Sequence, residues 1–361
     1  MKYLFVLHST SINGATNSIV FFIKYLLNKG HEIDYISLDD LSLQIVNLNL
    51  KKIDIASIKR IQNRKERFLN FVLSKLYKKT KNKKYDFLYA NTIVSLKLAI
   101  DLKKNMPSMK LVLHLHEMET IIKQTFNKFE QYNEYISSYI VVSKFTKQYL
   151  LDLGISNNKI FLINECSAIP TVNTLDFKLT NEFNVVMLGE AHWRKGDDIF
   201  LLIVKQVVEI NCDIHFYWIG KVEPYRKVIL EQDINKLGIS SNVTFIEEVK
   251  NPQDYLAKMD LFMLTSREDP FPLAVIEAGM LGLPIICFDK ATGLQDDILN
   301  VGGDVVPYLD INAMSKSVIQ FFENKDSITL KKNETKEYFN KFSPDRICEQ
   351  LDVVLISIGE C

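Results

Sequence analysis

Thr265-Ser266-Arg267-Glu268-Asp269-Pro270-Phe271-Pro272-Leu273-Ala274-Val275-Ile276-Glu277-Ala278-Gly279-Met280-Leu281-Gly282-Leu283-Pro284 is the stretch that decides how the 361-residue chain is read. The apolar run Leu261–Leu264 just before it predicts a buried strand. A polar loop follows, in which Pro270 and Pro272 restrict the backbone and prepare a helix start. The helix is predicted from about Pro272 to Met280, and Pro284–Phe288 predicts the next strand. Strand, helix, strand in that order is the unit of a parallel sheet covered by helices. The N–H groups of Leu273 and Ala274 at the helix start make an anion site that needs no charged side chain. Glu277 lies more than a turn inside, where its carboxylate can accept two hydrogen bonds from a diol. Gly279 and Gly282 permit close packing before the next strand. A solvated acidic loop ahead of a capped helix is the plainer reading of the same residues.

The rhythm extends in both directions. Toward the N-terminus, Tyr3–Leu7 reads as a strand, Ser18–Leu27 as a helix closed by Asn28-Lys29-Gly30, and Glu32–Ser37 as the next strand. Further strands are predicted at Phe87–Ala90, Lys110–His114 and Tyr139–Val142. A linker near Pro170–Asn181 separates these from a second series. That series runs through Asn184–Leu188, a helix at Asp197–Glu209, His215–Ile219, Val243–Ile246 and the segment quoted above. The expected domains are 1–172, 173–342 and a C-terminal helix over 343–361. Ser343-Pro344 suits that helix's start, and the helix either packs on its own domain or crosses to the first. Two doubly wound α/β domains should leave a cleft at the C-terminal ends of their strands, where ligands bind in such sheets.

Composition bounds the function. Lys plus Arg and Asp plus Glu both total 44, so net charge says nothing about partners. The five cysteines are scattered and form no C-x-x-C pair, which argues against a zinc site and a disulfide framework and suits a reducing cytoplasm. The first apolar run ends at His8, too early for a signal-peptide core. No stretch approaches the roughly 20 apolar residues of a spanning helix.

The quoted segment resembles the signature of the family 4 glycosyltransferases, which have the GT-B fold. That signature is an acidic residue, seven intervening residues, then Glu, followed by Gly-x-Pro. Asp269 and Glu277 have this spacing, with Asp-Pro-Phe-Pro in place of the family's Glu-Gly-Phe-Gly, and either Asp269 or Glu268 fills the first position. Gly189-Glu190-Ala191-His192-Trp193-Arg194-Lys195-Gly196 is similar to the family's Gly-Arg…Lys-Gly segment, whose cations hold the donor diphosphate. Lys195 matches the Lys, Glu190 stands where the Arg is expected, and Arg194 is the candidate to supply that charge. Two solvated basic residues at a helix start are the alternative, though the helix dipole disfavours them there.

Leu111–Glu119 carries His114 and His116, and the resemblance places His116 near the donor sugar; a structural His is the alternative. His-x-His also suggests zinc, but no third ligand follows at a useful spacing. Gly14 sits where the family's Gly-rich loop lets backbone approach a substrate. Asn164-Glu165 stands where Asn-Gly is usual.

The resemblance implies a GT-B protein of two Rossmann-like domains. Its implied activity is retaining transfer of a sugar, hexosyl or related, from a nucleotide-diphosphate sugar to a hydroxyl acceptor. Lys195, Arg194, Asp269, Glu268 and His116 are the candidate catalytic residues. Glu277, Pro270, Phe271, Pro272, Leu273, Ala274 and Gly14 are the candidate donor-binding residues. No metal and no cofactor is expected, because the cations and helix amides carry the phosphate charge. The alternatives are a nucleotide-sugar-binding protein without transfer, motivated by the changes at Asp269–Pro272 and Glu190, and an epimerase on the same fold.

One segment lies outside these motifs. Lys51–Lys84 holds thirteen Lys and Arg against Asp54 and Glu66, with Ile58, Ile61, Phe68, Phe71 and Val72 at near-helical spacing. It reads as a solvated helix, or as one lying on anionic lipid; nucleic acid is not expected. The acceptor implied is a saccharide or lipid-linked saccharide of surface polysaccharide or glycolipid synthesis. The expected location is cytoplasmic, with peripheral attachment at the inner membrane face.

Overall fold

The computed structural model describes residues 1–8, 14–37, 51–52, 83–179 and 182–360, without the side chains of 14–16, 51–52 and 326–330. The chain forms two compact units: Met1–Glu165 together with Pro344–Cys361, and Cys166–Ser343.

The first unit contains a seven-stranded sheet in the order β3-β2-β1-β4-β5-β6-β7. Its strands are β1 Lys2–Leu7, β2 Glu32–Ser37, β3 Lys51–Lys52, β4 Phe87–Asn91, β5 Lys110–Leu115, β6 Ser138–Val141 and β7 Ile160–Leu162. Every neighbouring pair is parallel. The order reverses between β1 and β4. Tyr3 to Leu7 are all fully buried, as expected of a parallel strand covered on both faces. The two-residue β3 and three-residue β7 are edge strands too short to stand out as apolar runs.

The second unit contains a six-stranded sheet in the order β10-β9-β8-β11-β12-β13. Its strands are β8 Phe183–Leu188, β9 Ile214–Ile219, β10 Val243–Ile246, β11 Leu261–Leu264, β12 Ile285–Phe288 and β13 Asp304–Val306, again all parallel. Its reversal lies between β8 and β11. Both units are therefore doubly wound, and the point of reversal is where such sheets bind ligands.

The helix expected from Pro272 to Met280 spans Leu273–Leu281. Gly279 lies against another helix, Lys325–Phe339: a Cβ there would sit 2.3 Å from the Phe339 ring. The small residue is what lets the two helices meet this closely.

The C-terminal helix Pro344–Glu360 belongs to the first unit. It packs on the helix Gly14–Asn28 and buries Ile347, Cys348, Leu351, Leu355 and Ile358. Lys110 Nζ donates to the carbonyls of Ile358 and Gly359 at 2.6 and 2.8 Å. A cation at the last carbonyls of a helix is favourable both as a cap and against the dipole. Among the described residues no helix is long and apolar enough to cross a membrane. Of the basic segment Lys51–Lys84, residues 53–82 lie outside the described residues.

Candidate functional site

The second sheet builds a site at its reversal. β8 ends at Leu188 and the chain turns at Gly189, whose carbonyl accepts a hydrogen bond from the buried Trp218 indole at 2.9 Å. His192 caps the following single helical turn, Trp193–Lys195, by accepting from the Arg194 N–H at 3.2 Å. Gly196 then starts the helix Asp197–Ile210 with φ 72°. A Cβ on Gly196 would lie 2.1 Å from the Thr265 carbonyl oxygen, so only glycine lets this loop lie on the end of β11. Three bonds fasten the two loops: Thr265 Oγ1 to the Lys195 carbonyl at 3.0 Å, the Arg267 N–H to the Arg194 carbonyl at 2.8 Å, and Arg267 Nη1 to the Trp193 carbonyl at 2.6 Å.

This framework brings Lys195, Arg194 and Asp269 together. Lys195 Nζ forms a close ion pair with Asp269 Oδ2. Arg194 Nη1 donates to the Glu268 carbonyl at 2.8 Å and lies 3.5 Å from Asp269 Oδ1. Asp269 is buried; desolvation pushes its carboxyl up, but Lys195 and Arg194 outweigh burial and hold it below the usual range. The geometry thus distinguishes the two acids. Asp269 presents its carboxylate to the cations, whereas Glu268 offers Arg194 its backbone carbonyl. Glu190 is exposed.

Asp269 and Pro270 are anchored from β12's loop. The Asp269 N–H donates to the Ala291 carbonyl at 2.7 Å and the Gly293 N–H to the Pro270 carbonyl at 2.9 Å. Phe271 is buried with its ring edge-on to Phe342 at 5.3 Å. Pro272 caps the helix Leu273–Leu281 in an extended conformation with no side-chain hydrogen bond, so the N–H groups of Leu273 and Ala274 head the helix. Glu277 accepts from Ser167 Oγ at 2.9 Å and from Gln253 Nε2 at 3.2 Å. Burial pushes its carboxyl up, and these two donors pull it back.

His116 and Gly14 lie in the first unit. His116 follows β5, its side chain nearly covered, with Nδ1 paired to Glu165 and Nε2 at 2.8 Å from Asn91 Oδ1. Gly14 opens the helix Gly14–Asn28, and residues 9–13 of its loop lie outside the described residues. The sequence reading did not single out Asn91, Ser167 or Gln253. Each meets its site residue across a long stretch of chain and carries no local pattern. Glu165 did leave a signal, as the departure from Asn-Gly. Among the described residues no group of three or more His, Cys, Asp or Glu is arranged to hold a metal ion.

Two doubly wound parallel sheets in one chain, the second with cations and an acid at its reversal, define a protein of the GT-B class. Residues 12–165 match the family described as Glycosyltransferase Family 4, and residues 182–324 match Glycosyl transferases group 1. The chain belongs to the family 4 glycosyltransferases. An uncharacterized glycosyltransferase of Methanocaldococcus jannaschii is 28% identical over 196 residues, 47% of this chain and 48% of that protein. A capsular polysaccharide biosynthesis glycosyltransferase of Staphylococcus aureus is 29% identical over 142 residues, 38% and 39% of the two chains. The chain thus spans about half or less of the length of these relatives. Crystal structures of Anabaena HepE, in complex with UDP and with UDP-glucose, superpose with TM-scores of 0.79 at 18% and 17% identity, over 99% of this chain and 100% of HepE.

Proposed function

We propose that the protein is a retaining glycosyltransferase that moves a sugar from a nucleotide-diphosphate sugar to a hydroxyl of a saccharide or lipid-linked saccharide. The observation that carries this is the pairing of Lys195 and Arg194 with Asp269 beside the N-terminus of the helix Leu273–Leu281. Two cations and free helix amides suit a diphosphate, whose negative charge grows as it leaves. Asp269 holds the cations until the phosphates compete for them. Glu277 takes the ribose diol, exchanging bonds with Ser167 and Gln253.

In the reaction the bond from the anomeric carbon to phosphate oxygen breaks and the bond to the acceptor oxygen forms on the same face. The acceptor proton passes to an oxygen of the departing phosphate. Lys195, Arg194 and the helix amides at Leu273 and Ala274 stabilise the charge that develops on that phosphate. The UDP-glucose complex of HepE and the capsular polysaccharide relative support a UDP-hexose donor and a surface-polysaccharide acceptor.

The test is incubation with a panel of sugar nucleotides, with and without saccharide acceptors, followed by NMR of the product's anomeric configuration. Transfer or donor hydrolysis with retention supports the reading. Binding without turnover indicates a nucleotide-sugar-binding protein, and an isomerised donor indicates an epimerase. The charge run Lys51–Lys84 supports docking on anionic lipid at the cytoplasmic face. Co-sedimentation with anionic vesicles at low salt tests that, and no binding there would reassign the run to a solvated helix.

A further inference from the structure

His114, at the end of β5, is buried, and the side chain of His116, just beyond it, is only 5% exposed, with the two ring centroids 3.9 Å apart. Their partners differ. His114 Nδ1 meets the Tyr89 hydroxyl at 2.7 Å, and among the described residues its Nε2 has no hydrogen-bond partner. A buried imidazole in that setting is neutral, and burial, with His116 beside it, pushes its pKa far down. His116 instead faces two oxygens: the Glu165 carboxylate at Nδ1 and the Asn91 amide oxygen at Nε2. A carboxylate accepts only, and so does an amide oxygen, so the ring must donate from both nitrogens.

We infer that Glu165 is a positioning residue that holds His116 with a proton on both ring nitrogens, making it a fixed donor and not a base. The charged groups around the ring agree. Besides Glu165, Glu117 lies beside it, accepting from the His116 N–H at 3.0 Å and from the Ile93 N–H at 3.4 Å. The other titratable neighbours, His114 and Tyr89, carry no charge at neutral pH. Desolvation disfavours the imidazolium, but Glu165 and then Glu117 outweigh it and raise the His116 pKa.

Resting on the proposed activity, this has one chemical consequence. With no lone pair on either nitrogen, His116 cannot serve as the base that takes the proton of the acceptor hydroxyl.

The decisive experiment needs no substrate. Long-range proton–nitrogen correlation spectra of the protein labelled with 15N-histidine report the proton on each ring nitrogen. Six histidines give a tractable spectrum, and His116→Gln assigns the resonance. At pH 7 wild-type His116 is expected to show both nitrogens protonated, and His114 only one. In Glu165→Gln the His116 titration should move to lower pH. A wild-type His116 with one proton at pH 7 overturns the inference, whether or not the variant folds. So does a titration unchanged in Glu165→Gln. Failure of sugar transfer leaves the spectra intact, so the two readings fail separately.

Discussion

The two sheets end differently at the C-terminal ends of their strands. In the first unit the ends of β4 and β5 carry His114, His116 and Asn91, nearly inaccessible and bonded to groups of their own unit. In the second unit the ends of β8 and β11 carry Lys195 and Arg194, whose side chains stay 13% and 28% exposed around the buried Asp269. One arrangement fixes the orientation of rings and amides. The other stores positive charge on a carboxylate, within reach of solvent, where an incoming anion can compete for it. The same strand topology therefore supports a rigid hydrogen-bond lattice in one unit and an exchangeable charge in the other.

The sharpest test of that contrast is Lys195→Ala. It should lower turnover by tens to thousands of fold, about 2–4 kcal/mol of transition-state stabilisation. Stability should fall as well, because the buried Asp269 carboxylate is left with Arg194 alone. Steady-state kinetics beside a urea titration checks both. Turnover near wild type would move the role to Arg194 and break the comparison.

Gly196→Ala attacks the framework and not the charge. The residue has φ 72°, and its new Cβ would meet the Thr265 carbonyl. The cost should exceed the roughly 1–3 kcal/mol of left-handed strain alone. Gly154→Ala in the first unit has a similar φ, 79°, but nothing within 4 Å of its Cβ. It should show only the strain. Chemical denaturation followed by circular dichroism compares them, and equal losses would mean that the Gly196 loop can shift away from β11.

Glu277→Gln should weaken donor binding by about 1–3 kcal/mol while keeping the fold, since a charge-assisted bond becomes a neutral one. Calorimetry with the donor, or with its nucleoside diphosphate, measures this. An unchanged affinity removes Glu277 from the ribose site.

The smallest effect concerns acid. Asp269 is held below the usual carboxyl range, so the stability it contributes is complete above the ordinary value near about 4 and is lost as pH falls through its folded-state value. Asp269→Asn should flatten that limb. Both tryptophans, Trp193 and Trp218, lie in the second unit, so their fluorescence follows it selectively. An acid limb of unchanged steepness in the variant would assign the dependence to other carboxylates.

Much of this could be read along the chain. The runs Tyr3–Leu7, Asn184–Leu188 and Leu261–Leu264 are strands because strands buried on both faces are continuously apolar. Asp269 and Glu277 were recognisable by spacing, since both belong to one loop and the helix it starts. The partners were not legible. Ser167 reaches Glu277 across 110 residues and Asn91 reaches His116 across 25, and neither carries a local signature of its contact. Choosing between Glu268 and Asp269 likewise needed the third dimension, because only the folded loop shows which carboxylate turns toward Lys195.

The return of Pro344–Glu360 to the first unit also sets an order of assembly. On the ribosome the whole of Cys166–Ser343 emerges before that helix exists. At roughly 5–20 residues per second, the helix Gly14–Asn28 waits about 15–65 s for the neighbour it packs against. The second unit can fold as soon as it is made, whereas the first completes its apolar interior only when residues 344–360 arrive. Truncations that remove this segment should leave the second unit intact and send the first to chaperones.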